Sequence, residues 1–174
     1  MSDFDLVVRG NSVDAEKTEI DGWLAVRDGK IAARGRGAAP AARETIDARG
    51  QWIVPGAVDG QVHSGSQANQ EGIGWASRAA AAGGVTVMVD MPYDDPEPVA
   101  CREMLDAKIK RAEKDSHVDV ALIGTVNEKH GLEAIPGLIE GGVCCFKLST
   151  FAAAPLRFPR LDEGDTFKAF SVIA

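Results

Sequence analysis

The rhythm of the chain changes at Pro55-Gly56, and this change limits the folds that are open to it. After Gly56, four apolar strand-like runs alternate with four helix-like runs. Apolar strands separated by helices predict a parallel sheet that is covered by those helices. The pattern fits the first half of a (β/α)8 barrel or a small doubly wound sheet, and periodicity alone does not choose between them.

The predicted elements of this second region follow from apolar spacing. Strands are predicted over residues 57–62, 85–90, 118–123 and 143–148, and helices over 73–82, 99–114, 132–140 and 166–173. In the second helix Leu105, Ile109 and Ala112 form an apolar stripe, which places the Lys and Arg residues on the opposite, solvent-facing side. Cys144 and Cys145 fall on the fourth strand and are interpreted as core residues.

Residues 1–55 have a different pattern of short β-like runs separated by turn residues. Asp28-Gly29 joins two such runs, and this pair favours a two-residue hairpin because Gly accepts the positive φ of the tight turn. The prediction is a small antiparallel β unit. The domain boundaries that follow are 1–55 for this unit and 56–174 for the strand–helix region.

Composition excludes several classes of partner. The net charge is −7 and the Lys and Arg residues form no basic run, so nucleic acid and anionic membranes are poor candidates. No apolar stretch is long enough to span a bilayer. The three cysteines are odd in number and lack zinc-finger spacing, which indicates reduced thiols and a cytoplasmic location.

The first parallel strand ends in polar residues. Because side chains alternate along a strand, Asp59, Gln61 and His63 share one face, and in a barrel the carboxyl end of that strand opens to the active site. The alternative is a polar strand end with a structurally satisfied histidine.

The fourth strand ends in a lysine after an apolar run. A buried ammonium ion is costly, and a neutral lysine amine can add carbon dioxide to give a carbamate that bridges two metal ions. Alternatively, Lys147 extends its amine to solvent. The acidic loop 93–98 follows the second strand, on the face where a barrel builds its active site, and the alternative is a solvated, Pro-rich turn that caps the next helix.

Four ordered motifs resemble the start of the amidohydrolase superfamily, in the cyclic-amide branch of hydantoinases, allantoinases and dihydroorotases. They are the β-unit runs around residues 5–10, 26–31 and 46–50, the Val-Pro-Gly-Ala-Val-Asp element at 54–59, the Ala-Ala-Gly-Gly-Val-Thr-Val-Met-Val-Asp-Met-Pro segment at 81–92, and Gly-Val-Cys-Cys-Phe-Lys at 142–147.

The resemblance implies a fold and a chemistry. The fold is a small β-sandwich unit followed by strands one to four of a (β/α)8 TIM-like barrel. The chemistry is metal-dependent hydrolysis of a C–N bond in a small cyclic amide or ureide, with one or two divalent ions, zinc by preference, bridged by a carboxylated lysine. The full-length form is expected to be a homo-oligomer.

The site residues carry over one by one. His63 matches the second histidine of the family's His-x-His motif, Gln61 stands at the first, and Lys147 matches the bridging lysine. These three are the candidate metal ligands. The family's later histidines and aspartate would lie beyond Ala174, so no catalytic residue is assigned and the chain is expected to be an N-terminal part.

Other positions depart from the family pattern. Ser64 and Gly65 replace the carboxylate-binding Arg of dihydroorotases, Tyr93 stands at their Asn and is a candidate substrate-binding residue, and Ala152 occupies the position of the hydantoinase Tyr. These departures keep open a non-catalytic scaffold or degraded fragment. A third hypothesis is a complete small α/β binding domain with a hairpin extension.

Overall fold

The computed structural model describes residues 3–152, 154 and 157–174. The chain forms two compact units, Met1–Pro55 (the β unit) and Gly56–Ala174 (the α/β unit). Across the described ranges, every helix is too short or too polar to cross a bilayer.

The β unit is one four-stranded sheet. Its strands are β1 (Phe4–Val13), β2 (Thr18–Arg27), β3 (Lys30–Arg36) and β4 (Ala42–Ile53), in the order β3-β2-β1-β4. Asp28 and Gly29 both have positive φ, 51° and 71°, at the tight turn between β2 and β3. The predicted hairpin is therefore confirmed. Val7 and Ala25 face each other across β1 and β2, and both are fully buried.

Two details of the β unit differ from the antiparallel prediction. β4 pairs with β1 in parallel, so the sheet is mixed. β4 also continues through the predicted turn at Arg49-Gly50, where the β1 register jumps from the pair Arg9–Asp47 to the pair Asn11–Trp52. Such a jump is a bulge, and Gly50 accommodates it with a φ of 83°.

The α/β unit is a parallel sheet with helical crossovers. Its elements are β5 (Ala57–Val62), α1 (Gly72–Ala82), β6 (Val85–Asp90), α2 (Arg102–Asp115), β7 (Asp119–Gly124), a 3-10 turn (Leu132–Ala134), α3 (Ile135–Glu140), β8 (Cys145–Phe146) and α4 (Glu163–Ile173). The strands lie side by side in chain order, β5-β6-β7-β8. A doubly wound sheet would reverse this order at a switch point, whereas successive barrel strands keep it. The fold class of a β unit followed by part of a (β/α)8 barrel is confirmed.

The core of the α/β unit lies between the sheet and the helices. One buried cluster consists of Val99, Leu105, Leu122 and Leu138. A second joins Val126, Ile135 and Ala169, and Phe146 packs against both clusters. β8 is shorter than predicted because the chain bends at Cys144. The prediction that Cys144 and Cys145 are core residues is wrong, since both are exposed.

Candidate functional site

The candidate site lies at the carboxyl ends of the parallel strands. His63 follows β5 directly, Tyr93 lies in the loop after β6, and Lys147 follows β8. In parallel α/β folds these ends face one edge, where the connecting loops build binding sites.

His63 is half-buried and held by its own loop. Its Nδ1 lies 2.7 Å from the Ser66 hydroxyl oxygen. Burial lowers the pKa of His63 below its ordinary value, the nearby Lys147 ammonium lowers it further, and Asp90 opposes these effects. These effects favour the neutral imidazole, which is the form that binds metal ions.

Lys147 is anchored through its backbone while its side chain reaches towards β6. The Lys147 N–H donates to the Gly124 carbonyl at 2.9 Å, and the Lys147 carbonyl accepts from the Thr125 hydroxyl at 2.8 Å. Its Nζ lies 3.6 Å from the sulfur of Met91, a weak acceptor. Among the described residues, no carboxylate lies within ion-pair distance of this amine. The Lys147 amine thus approaches the end of β6 without a described anionic partner.

Gln61 behaves differently from the other two candidate ligands. It lies in β5 and is exposed, and its backbone N–H donates to the Asp59 carboxylate at 3.1 Å. The register of β5 against β6 is irregular between Asp59 and Val62, which interrupts the regular alternation assumed from sequence. Within the described contacts, the Gln61 side chain meets neither His63 nor Lys147.

Tyr93 joins His63 in an aromatic cluster. The two rings meet edge to face, with centroids 6.4 Å apart. Phe158 packs edge to face against Tyr93 at 4.8 Å, and the Arg157 guanidinium lies over the Tyr93 ring at 5.4 Å. Tyr93 therefore contacts side chains from the loops after β5 and after β8.

Arg157, which no sequence motif indicates, connects these loops. Its guanidinium donates to the Ser66 carbonyl at 3.0 Å and lies 3.5 Å from the Asp95 carboxylate. Ser66 in turn contacts His63. Sequence pattern offered no signal for Arg157, because it lies in an irregular segment more than 60 residues from Tyr93 and 91 from Ser66. By contrast, Ala152, at the hydantoinase Tyr position, is exposed.

A buried ion network lies directly behind His63. Lys108, only 1% exposed, contacts Asp90 at 2.8 Å and Asp94 at 2.7 Å, and it also donates to the Met91 carbonyl at 2.7 Å. Asp90 accepts from the backbone N–H and the hydroxyl of Ser64, at 2.9 and 2.6 Å. The network therefore fixes the residue that follows His63.

Two predictions about this network are wrong. Lys108 was placed on the solvent face of α2, and the alternative for loop 93–98 placed Asp94 in a solvated turn, yet both are buried. The signal for Lys108 was present in the sequence, because Leu105, Lys108, Ile109 and Ala112 share the i, i+3, i+4, i+7 spacing of one helix face. A lysine on the apolar face of a helix can point into the core when buried carboxylates pair with its ammonium group.

The residues present fit part of a metal centre. His63 offers a neutral imidazole and Lys147 an amine on the same edge, and these groups could hold a metal if the amine were carboxylated. Within the described ranges, no group of three or more His, Cys, Asp or Glu side chains is arranged to hold a metal ion. Gln61 would contribute a weaker amide ligand.

Comparison with known proteins places this arrangement in a family. An allantoinase of Rubrobacter xylanophilus is 42% identical over 94% of this chain, and an allantoinase of Bacillus velezensis is 34% identical over 98%. The solved L-hydantoinase of Arthrobacter aurescens superimposes on 98% of the chain with a TM-score of 0.87 and 30% identity. The chain belongs to the cyclic amidohydrolase branch of the amidohydrolase superfamily.

The matches cover nearly all of this chain but little more than a third of each relative. The chain spans 36% and 38% of the length of the two allantoinases and 38% of the hydantoinase. No protein-family model matches the chain. This cyclic amidohydrolase chain therefore corresponds to little more than a third of its relatives.

Proposed function

We propose that this chain supplies part of the active site of a metal-dependent hydrolase that cleaves a C–N bond of a cyclic amide or ureide. The observation that carries the proposal is the convergence of His63 and Lys147 on Met91, at the end of β6. The Met91 N–H donates at 2.8 Å to the carbonyl of Val62, the residue before His63, and the Lys147 Nζ lies 3.6 Å from the Met91 sulfur. The relatives named allantoinase and hydantoinase support the reaction class.

Each residue has a proposed role. His63 binds a divalent metal, zinc by preference, through its neutral imidazole, and Lys147 binds it as a carbamate. Gln61 is a third, weaker candidate ligand. When bound, such a metal supplies polarisation of a carbonyl and activation of a water. Tyr93, edge-on to His63, borders the space where the cyclic substrate would lie.

The ion network and the loop contacts hold these groups in place. Asp90 fixes Ser64 next to His63, and Ser66 holds the imidazole nitrogen Nδ1. Since ligand orientation depends on such hydrogen bonds, we expect this shell to set the direction in which Nε2 points. A cytoplasmic location, supported by three free cysteines, and a homo-oligomeric full-length form remain part of the proposal.

Metal binding by Lys147 can be tested on the chain itself. The metal-free protein is incubated with Zn²⁺ in the presence of ¹³C-bicarbonate, and the bound metal is measured after gel filtration. We expect Lys147→Ala to lower the Zn²⁺ affinity by about 10-fold or more, because loss of even an outer partner of a ligand costs 10- to 100-fold. A carbamate ¹³C signal should appear in the wild type and be absent from the variant.

The matched control is Lys129→Ala, which removes a surface lysine that pairs with Glu97. This variant should retain both the metal and the carbamate signal. Zn²⁺ binding that is equal in the wild type and Lys147→Ala would contradict the proposed role of Lys147.

A non-catalytic scaffold is the second candidate function, and Gln61 favours it. An exposed amide stands where the family has its first histidine. Under the leading proposal, Gln61→His adds an imidazole, which binds zinc more strongly than an amide does, and it should raise the Zn²⁺ affinity in a competition titration. If the affinity stays unchanged, the scaffold is favoured.

A further inference from the structure

Cys144 and Cys145 bring two thiols into contact. Neighbouring side chains of a regular strand point to opposite faces, but Cys144 lies at a bend immediately before β8. The two sulfur atoms are consequently 3.9 Å apart. This separation is well beyond the ~2.05 Å of a disulfide, so the pair consists of two adjacent free thiols.

These two cysteines are accessible, whereas the third is not. Cys144 and Cys145 are exposed, while Cys101, at the start of α2, is 6% exposed. Any reagent that requires two accessible thiols therefore meets them only at this bend. Cys101 provides an internal control for the reactivity of a single buried thiol.

The backbone around the pair is fixed. The Cys144 N–H donates to the Leu122 carbonyl at 2.9 Å, and the Lys147 N–H donates to the Gly124 carbonyl at 2.9 Å. Hydrogen bonds to β7 on both sides thus hold the bend that points the two thiols towards each other. Two thiols already held together lose less freedom on binding one ligand than two independent thiols do.

We propose that Cys144 and Cys145 form a vicinal dithiol site that binds thiophilic trivalent arsenicals. Zinc in structural sites takes four nitrogen or sulfur ligands, whereas this bend offers two thiolates. Thiolates select soft centres, and an organoarsenical of the type R–As(OH)2 has two exchangeable positions. The number of exchangeable positions on arsenic equals the number of thiols.

The reaction is an exchange without oxidation or reduction. Two As–O bonds break and two As–S bonds form, so that R–As(OH)2 and the two thiols give R–As(S-Cys)2. Each thiol proton leaves with one hydroxyl group as water, and two water molecules are released. Arsenic remains trivalent throughout, and no electron acceptor is needed.

Phenylarsine oxide, which hydrates to the required dihydroxy form, is the probe. The reduced full chain is treated with one equivalent and examined by intact-mass spectrometry, while its reactive thiols are counted with a chromogenic disulfide. We expect one phenylarsenic group per chain and the loss of both fast-reacting thiols. Excess monothiol should leave the adduct in place, and a small dithiol should remove it.

Single substitutions distinguish a two-thiol site from ordinary thiol reactivity. Cys144→Ser and Cys145→Ser should each weaken binding by about 100-fold, because linking two binding groups raises affinity by about 10²–10⁴. Cys101→Ser should bind as the wild type does, and circular dichroism checks that each variant is folded. An adduct that monothiol displaces equally well from the wild type and Cys144→Ser would overturn the proposal, as would an adduct that requires Cys101.

Discussion

Lys108 carries a charge into the interior of the α/β unit. Its ammonium group touches two carboxylates, Asp90 and Asp94, and one backbone carbonyl. Arg111 of α2, whose side chain is about half exposed, adds a second cation 3.0 Å from the Asp94 carboxylate. The network therefore joins α2 to the ends of β5 and β6, and it links helix packing to the residue beside His63.

Replacing Lys108 with Met should destabilise the α/β unit strongly. The apolar chain of Met fills a similar volume, but it leaves Asp90 and Asp94 without their buried cation. Removing one partner of a buried ion pair costs about 3–5 kcal/mol. We expect a decrease of that size in the free energy of unfolding, measured in urea by circular dichroism at 222 nm, which follows the helices and hence this unit.

Lys110→Met is the matched control, since Lys110 lies two residues along α2 and is exposed. Surface substitutions of this kind usually change stability by less than about 0.5 kcal/mol. If the two variants have the same free energy of unfolding, the network does not stabilise the fold.

Single elements show how far the sequence predicts this structure. β6 has the predicted bounds, Val85–Asp90, because its apolar run is continuous and is bounded by Gly84 and Met91-Pro92. The Asp28-Gly29 hairpin was equally predictable, because local backbone geometry decides it. Both features depend on residues that are neighbours in the chain.

Features that depend on distant residues were not predictable in the same way. β4 pairs in parallel with β1, about 40 residues earlier, and no local pattern specifies that partner. For the candidate site, sequence motifs predict roles for His63, Gln61, Lys147 and Tyr93, but they do not indicate the cation over the Tyr93 ring. Arg157 reaches Tyr93 only through the tertiary fold. The bend that brings the two adjacent cysteines together is likewise set by hydrogen bonds to β7.

At the scale of the whole molecule, large apolar side chains remain at the surface. Three of these exposed side chains lie on α4 and in the loop before it: Phe151 at 67%, Phe167 at 73% and Phe170 at 60%. β5 and β8 are the outer strands of their sheet, and Val58 of β5 is 64% exposed. Exposed apolar patches and unpaired strand edges promote association between chains. The net charge of −7 opposes association, but salt screens this repulsion beyond short distances.

We therefore expect this chain on its own to self-associate, and α4 to contribute to the association. In sedimentation velocity at 0.15 M salt, the wild type should show a sedimentation coefficient that rises with concentration. Phe167→Glu combined with Phe170→Glu should lower the association constant by about tenfold or more, because it removes two phenyl groups from the contact, each worth roughly 1.5–3 kcal/mol when buried.

The matched control is Ser171→Glu with Ala174→Glu, which adds the same two charges to exposed positions of that helical segment without removing a large apolar side chain. If this control pair disperses the chains as well as the phenylalanine pair does, charge repulsion accounts for the effect. A wild type that sediments as a monomer at every concentration would show that these exposed side chains do not drive association.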